Sequence, residues 1–560
     1  MIQKSNWKRD LSILAVPLIF LIIFYLLPLA EIARVTISRI KLNEIGRAVN
    51  WQMVFSAFSF TFYQATLSTL LTIGIGLPAA WLFGRFKFKG KNALRIASTL
   101  PFILPTVVVA AGFSALIGPR GWINVLLMQL MGLTVPPIRI MNSLLAILLA
   151  HVFYNTSIMI RVVGAALAQF DQRMEDAART LGASSWQAFF KVTFPNLLPS
   201  ILSSVLLVFL FDFTSFGVIL MLGGPQFSTL EVEIYIQTVQ FLNLPLAGAL
   251  SLIQLLFTML MTLMLMRLGD SAFADPIMPR MQEENMRSPR STWEKTFTTG
   301  IIAILLLLLV SPVAALVFKS LLVEGSQGSE LSMRYFLELF SNRRQSYFYV
   351  PPFQALLNSL RFAFVSSLVS LFLGLLLSYG LRANSRFNRW VEWLMMFPLG
   401  TSAVTLGLGF FIFFFRGTGS ARWYPWLIPM AHSLISLPFV LRVVQPVLRS
   451  IPVNIHWAAA TLGASPLGII RRVDLPILWR SFMTAALYAF TISLGEFGAT
   501  SFLSRPDLPT IPVAIFRYLG LPGSINYGQA MAMAVIILVV CVISMLALDQ
   551  LQYQTFRDKA

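Results

Sequence analysis

The chain has 560 residues, of which 57% are hydrophobic and 12% charged, with a formal net charge of +19 and a mean hydropathy of +0.76. A soluble domain carries about twice that charged fraction, so the composition excludes an ordinary soluble enzyme, and continuous rather than alternating apolar runs exclude a β-barrel. Lys and Arg concentrate in short intervals on one side of these runs, the positive-inside pattern of a membrane protein, not in a basic soluble domain that would bind nucleic acid.

Apolar runs of ~20 residues, long enough to cross a bilayer as helices, predict twelve spans. The first six lie at about 11–30, 58–83, 94–117, 143–165, 198–222 and 245–267. The second six lie at about 297–319, 356–381, 390–415, 424–445, 478–502 and 526–549. Lys4, Lys8 and Arg9 precede the first run, which is long enough to be a retained helix rather than a cleaved signal. The expected fold is an all-α polytopic membrane protein with both termini in the cytoplasm. Its first half is 1–267 (core about 57–267) and its second 297–560 (core about 355–549). Pro276, Pro279, Arg280, Glu283, Glu284 and Arg287 mark 268–296 as a solvated cytoplasmic linker. The lone Cys541 lies in an apolar run and offers no disulfide. Neither a metal site nor a cofactor is expected.

The two halves repeat at a constant shift of 281 positions. Ala150-His151 matches Ala431-His432, Arg161-Val162-Val163 matches Arg442-Val443-Val444, and Phe216-Gly217 matches Phe497-Gly498. Six spans per half give both halves one orientation, so the repeat predicts a pseudo-two-fold axis along the membrane normal. A pathway on that axis would be lined by both halves.

The clearest repeat is polar. Asp176-Ala177-Ala178, Gly182 and Val192-Thr193-Phe194-Pro195 share their spacing with Trp457-Ala458-Ala459, Gly463 and Val473-Asp474-Leu475-Pro476. The first copy reads as a short helix, a hinge at Gly182 where a positive backbone angle is needed, and an amphipathic surface helix ended by Pro195. Such an element suits a groove on another protein; a partnerless surface helix is the plainer alternative.

The chain resembles the integral-membrane subunits of type I binding-protein-dependent ABC importers, whose hallmark is the loop Glu-Ala-Ala-x3-Gly-x9-Ile-x-Leu-Pro. The resemblance implies that Asp176, Ala177, Ala178, Gly182, Pro195, Ala458, Ala459, Gly463 and Pro476 couple to two copies of an ABC ATPase subunit. Trp457 departs from the acidic first position. Two loops in one chain, with Gly118-Pro119-Arg120-Gly121-Trp122 and Ser493-Leu494-Gly495-Glu496-Phe497-Gly498, look like the fused thiamine and ferric-iron permeases. The implied function is a pathway for a small cationic solute, thiamine or iron(III), delivered by an extracytoplasmic binding protein to loops including 118–142, 223–244 and 503–525. An ion-driven carrier of twelve helices in two parallel halves is the alternative, although it has no use for paired coupling loops.

The chain itself carries no ATP site. Gly84 to Asn92 has five residues between its glycines and Asn92 where a phosphate loop needs a hydroxyl, so hydrolysis is expected on separate subunits. Ionisable residues inside spans face a partner or a cavity. Asp212, Glu496, His151 and His432 are therefore candidate pathway residues, with pairing to neighbouring groups as the structural alternative. Arg161 and Arg442 are expected to snorkel to the interface.

Overall fold

The structure, a computed structural model, describes residues 7–39, 50–267, 286–325, 328–342, 348, 350–382, 385–415 and 424–557. The first half contains α1 (Ser12–Ser38), α2 (Trp51–Arg85), α3 (Lys91–Ile103), α4 (Thr106–Ile117), α5 (Trp122–Met131), α6 (Leu144–Gln169) and α7 (Gln172–Thr180). It continues with α8 (Ser185–Phe213), α9 (Gly217–Leu222), α10 (Leu230–Tyr235, prolonged by a π-turn Ile236–Gln240) and α11 (Leu244–Arg267). The second half starts with α12 (Thr292–Leu321), the antiparallel strands β1 (Leu322–Gly325) and β2 (Gly328–Leu331), α13 (Arg334–Leu337) and α14 (Pro352–Gly380). Then come α15 (Arg386–Gly400), α16 (Ala403–Phe410, prolonged by a π-turn), α17 (Tyr424–Ser450), α18 (Val453–Thr461), α19 (Pro466–Gly495), α20 (Gly498–Leu503), α21 (Ile511–Leu519) and α22 (Ser524–Arg557). Eleven described helices, counting α4–α5 as one, are long and apolar enough to cross a membrane, and the bent pair α15–α16 makes twelve.

Helix starts follow local chemistry. The Asn50 side chain accepts from the Met53 N–H at 3.1 Å and opens α2. Ser291 and Glu294 form a capping box at the start of α12. Within the spans, Thr61, Thr69 and Ser367 donate to the carbonyl four residues back, so each hydroxyl is satisfied without water.

Each half is organised around three mutually packed helices, α2, α6 and α8 in one and α14, α17 and α19 in the other. Glycine allows the closest approaches. A Cβ on Gly76 would stand 2.6 Å from Met159 Cβ, and one on Gly374 2.5 Å from Val440 Cγ1. Met159 and Val440 correspond at the shift of 281, and each glycine lies on the first of the three helices of its half. The lead helices cross over: α1 packs on α14, with the Tyr25 hydroxyl 2.7 Å from Thr401 Oγ1. In return α12 packs on α4, where the Pro312 carbonyl lies 3.0 Å from the position of a Cβ on Gly112. The cores of the halves are separate in sequence, but their covering helices are exchanged.

Four expected spans are not continuous. Segment 94–117 breaks at Leu104 and Pro105, both extended, because the residue before proline is driven out of the helical region. Segment 390–415 bends by 96° between α15 and α16. There Ser402 accepts from the Val404 and Thr405 N–H groups and starts α16 afresh. Segments 198–222 and 478–502 break at Thr214–Phe216 and at Glu496–Phe497.

The segments 223–244 and 503–525, expected as external loops, are largely folded back into the bundle as α10 and α21, whose residues are mostly buried. Thr61 Oγ1 accepts from the Leu230 N–H at 2.9 Å, and Ser359 Oγ accepts from the Ile511 N–H at 2.8 Å. Thr61 lies ten residues into α2, about 15 Å along its axis. Gln237, farther along α10, reaches Met53 near the start of α2. α10 therefore begins deep in the bundle and rises back toward its end. Most of the linker, 268–285, lies outside the described residues; its last part is held at the end of α2, where Arg287 N donates to Arg85 O at 3.2 Å and Lys87 N donates to Arg287 O at 3.0 Å.

Candidate functional site

The two polar repeats form the same object. After α7 the chain closes a Schellman turn, Ala183 N to Ala178 O and Gly182 N to Arg179 O, both at 3.0 Å. After α18 the same bonds run from Ala464 N to Ala459 O and from Gly463 N to Ala460 O, again at 3.0 Å. Gly182 has φ +95° and Gly463 +82°, as the sequence predicts. Asp176, Ala177 and Ala458 are exposed; Ala178 and Ala459 are partly covered. Leu181 is 89% exposed and Leu462 87%, and Trp186 in one copy and Trp457 in the other are exposed as well, so both turns present apolar side chains outward.

Pro195 does not end its helix, contrary to expectation. The short helix Ser185–Ala188 passes through a π-turn, Phe189–Thr193, into the span, and Pro195 sits in the first turn that follows. The Phe194 N–H bonds five residues back to Phe189 O, a register in which a residue without an N–H is accommodated. Pro476 follows an identical π-turn, Ile470–Asp474.

Each turn is held to its half by different chemistry. In the first copy Glu175 accepts from Arg85 Nη2 at 2.6 Å and from Thr193 Oγ1 at 3.0 Å. In the second, Asp474 lies 2.5 Å from His456 Nε2 and accepts from the Tyr379 hydroxyl at 2.8 Å, with Arg382 Nη2 3.3 Å from His456 Nδ1. His456 corresponds to Glu175 and Asp474 to Thr193, so the acid has moved from the helix to the π-turn.

The candidate pathway residues gather at the breaks of α8 and α19. His151 Nε2 lies 2.8 Å from Ser215 Oγ, and His151 Nδ1 lies 3.3 Å from Asp212 Oδ1. His432 Nδ1 lies 2.7 Å from Ser493 Oγ, and His432 Nε2 lies 3.1 Å from Glu496 Oε2 and 2.8 Å from Thr500 Oγ1. Each histidine thus stands between one serine and one carboxylate, and the two halves exchange which position holds the acid. Glu496 also accepts from the Ala499 and Thr500 N–H groups at 2.8 and 3.0 Å, so its carboxylate caps α20. Asp212 accepts from Asn155 Nδ2 at 2.6 Å. Its Oδ2, with Ser68 alongside, accepts no aligned hydrogen bond.

Between the halves lies a cavity of about 370 Å³. His151, Asp212 and Glu496 line it; His432 stands behind Glu496 and is not among the lining residues. Phe216 and Phe497, symmetry-related by sequence, stack across the interface with centroids 5.3 Å apart. Arg161 is buried, 5% exposed, over the Phe102 ring at 4.4 Å rather than snorkelling outward, because α3 and α6 pack against each other there. Arg442 is partly covered.

Glu231 is the functional candidate that reading the sequence missed. It belongs to α10, which the sequence analysis placed in an external loop, and it is 1% exposed and lines the cavity. A signal was present: the shift of 281 pairs Thr229-Leu230 with Thr510-Ile511, two matching helix starts.

Residues 73–272 and 370–557 match the family described as binding-protein-dependent transport system inner membrane component. The chain is 27% identical over 503 residues to the thiamine transport system permease protein ThiP of Escherichia coli K12, covering 88% of each. It is also 27% identical to the protein of that name from Brucella abortus strain 2308, covering 88% of this chain and 86% of the relative. To that of Haemophilus influenzae it is 26% identical over 526 residues, covering 89% and 90%. Two family matches in one polypeptide, on halves that repeat in sequence and in helix-break geometry, account for the twofold architecture. The chain belongs to the family of binding-protein-dependent transport system inner membrane components.

Proposed function

We propose that this chain is the translocation subunit of an ATP-driven importer for thiamine. The observation that carries the reading is the cavity between the halves. Carboxylates of both halves line it with aromatic rings, and no Lys or Arg is among its lining residues. An organic aromatic cation suits such a wall by charge and by cation–π contact. Relatives aligned over nearly their full lengths are thiamine permease proteins. Iron(III) is less well served: the described residues include no group of three or more His, Cys, Asp or Glu placed to hold a metal ion.

In this reading the turns at Gly182 and Gly463 lie at the cytoplasmic surface and dock in two ATPase subunits, which carry out hydrolysis. Asp176, Ala177, Ala178, Ala458 and Ala459 form the docking surfaces; Pro195 and Pro476 set the entry into the spans that carry the force. An extracytoplasmic binding protein delivers its ligand at the opposite end, where 132–142, which follows α5, and the rims of 223–244 and 503–525 are offered. ATP binding draws the two turns together, and the paired breaks of α8 and α19 alter the seal at Phe216 and Phe497. His151, Asp212 and Glu496 face the solute, while His432 positions Glu496.

The test is ATP-dependent uptake of labelled thiamine into proteoliposomes holding this chain, its ATPase and the loaded binding protein. Uptake that is independent of ATP, or driven by an ion gradient alone, would overturn the importer assignment.

A further inference from the structure

The three carboxylates of the cavity are not alike. Asp212 and Glu496 each have an imidazole beside them. Glu231 has only neutral partners: Gln254 Nε2 donates to Oε1, and Ser402 Oγ donates to Oε2 at 2.7 Å. Among the described residues, no Lys, Arg or His forms an ion pair with Glu231. An ionised carboxylate this deeply buried is costly without a compensating charge. Its position is also particular to one half, since the corresponding residue of α21 is Pro512. The bond to Ser402 crosses between the halves and ends on the residue that starts α16 after the 96° bend.

A second observation on the same wall points to a ligand. Asp212 is buried and lines the same cavity, and among the described residues its Oδ2 accepts no aligned hydrogen bond, the Ser68 hydroxyl lying alongside. Phe211, Tyr154 and Tyr488 supply aromatic surface to the cavity. The cavity therefore offers negative charge and ring faces to whatever occupies that volume, and no cation among the described residues pairs with Glu231.

We infer that Glu231 is the counter-ion of the transported cation inside the bundle, so that the cavity is a binding site for an aromatic organic cation and not merely a passage. The inference rests on the importer reading above and deepens it. Because Glu231 also accepts from Ser402, an occupying cation competes for the oxygen that ties α10 to α16. Occupancy of the cavity is thereby linked to the contact between the halves.

The experiment uses the detergent-solubilised complex of the full chain with its ATPase subunits, without the binding protein. Binding of benzyltrimethylammonium is compared with that of its neutral carbon isostere, in wild type and E231Q. Wild type should prefer the cation by about tenfold or more, the scale of 1.4 kcal/mol, and E231Q should lose that preference while binding the isostere unchanged. Labelled thiamine uptake by E231Q in proteoliposomes should fall by a similar factor. Equal affinity of wild type for the two probes overturns the inference, as does an E231Q complex that keeps the preference. If E231Q fails to assemble, carbodiimide labelling of the wild-type complex read by mass spectrometry decides: benzyltrimethylammonium should protect Glu231, and equal labelling of Glu231 with and without the cation overturns the inference. Failure of the thiamine reading is seen separately, as absence of thiamine uptake by wild type, and leaves the probe comparison intact.

Discussion

Phe216 and Phe497 occupy corresponding positions of the two halves, 281 residues apart, and stack with centroids 5.3 Å apart and planes 20° from parallel. Each is the last residue of the break in its span, Thr214–Phe216 or Glu496–Phe497, so each ring is held by a helix end rather than by a helix middle. In the proposed transport cycle the pair acts as a seal that moves when either break rotates. Replacing both rings with alanine removes a pair worth ~0.5–1.5 kcal/mol beyond its area. The expected outcome is a passive leak of thiamine from loaded proteoliposomes without ATP, with each single variant leaking less than the double.

Gly217 stands beside that seal. A Cβ there would lie 2.5 Å from Thr106 Oγ1 and 3.1 Å from Phe497 Cδ1. G217A should therefore destabilise the protein by ~1–3 kcal/mol through overpacking, and G217V by more. Thermal unfolding in detergent checks the order, and a shorter side chain in place of Phe497 should relieve part of the loss.

At Gly182 and Gly463 no atom of the described residues lies within 4 Å of an added Cβ, so within them the positive φ is what restricts the residue. The penalty for an L-residue in that region is ~1–2 kcal/mol, and asparagine tolerates it better than other residues. Stimulation of ATP hydrolysis by the loaded binding protein should fall in the order glycine, asparagine, alanine, valine at either position. Equal effects of alanine and asparagine would show that contact, not conformation, governs the turn.

The acid that holds each turn predicts an asymmetry. D474N removes the charge facing His456 and weakens the bond from Tyr379, whereas T193V removes one hydroxyl donor and leaves Arg85 on Glu175. Leaving buried polar groups poorly partnered costs ~1–3 kcal/mol. D474N should lower the unfolding temperature more than T193V, and E175Q should resemble D474N.

Ser402 starts α16 after the bend, and loss of an N-cap side chain costs ~0.5–2 kcal/mol. S402A should loosen α16 locally, seen as faster amide exchange over 403–406 with little change at the equivalent start of α4. Uniform exchange across both helices would mean that the bend is held by packing alone.

Much of this was legible in residue order. Apolar runs long enough to span, the shift of 281 and the spacing around Gly182 and Gly463 each follow from local rules: bilayer thickness, duplication, and a backbone angle that glycine adopts freely. The helix breaks were not legible in full, because Thr214-Ser215-Phe216 and Thr401-Ser402 contain no proline and lie within apolar surroundings. They are held by side chains that take up backbone groups at the breaks: Gln64 Nε2, from α2, donates to the Asp212 carbonyl, and Ser402 Oγ, itself bonded to Glu231, accepts from the Val404 and Thr405 N–H groups. Pro195, read as a stop, is instead absorbed by a π-turn whose register shift hides the missing donor.

By itself the order of residues determined the membrane class, the twofold repeat and the two outward turns, since each depends on composition or on spacing along one chain. Only tertiary structure decided that α1 and α12 cross to the opposite half, that α10 and α21 re-enter the bundle, and that Glu231 shares a cavity with Asp212 and Glu496. Those relations arise from packing and hydrogen bonding between residues more than a hundred positions apart, where burial removes water as the alternative partner and the distant side chain must take its place.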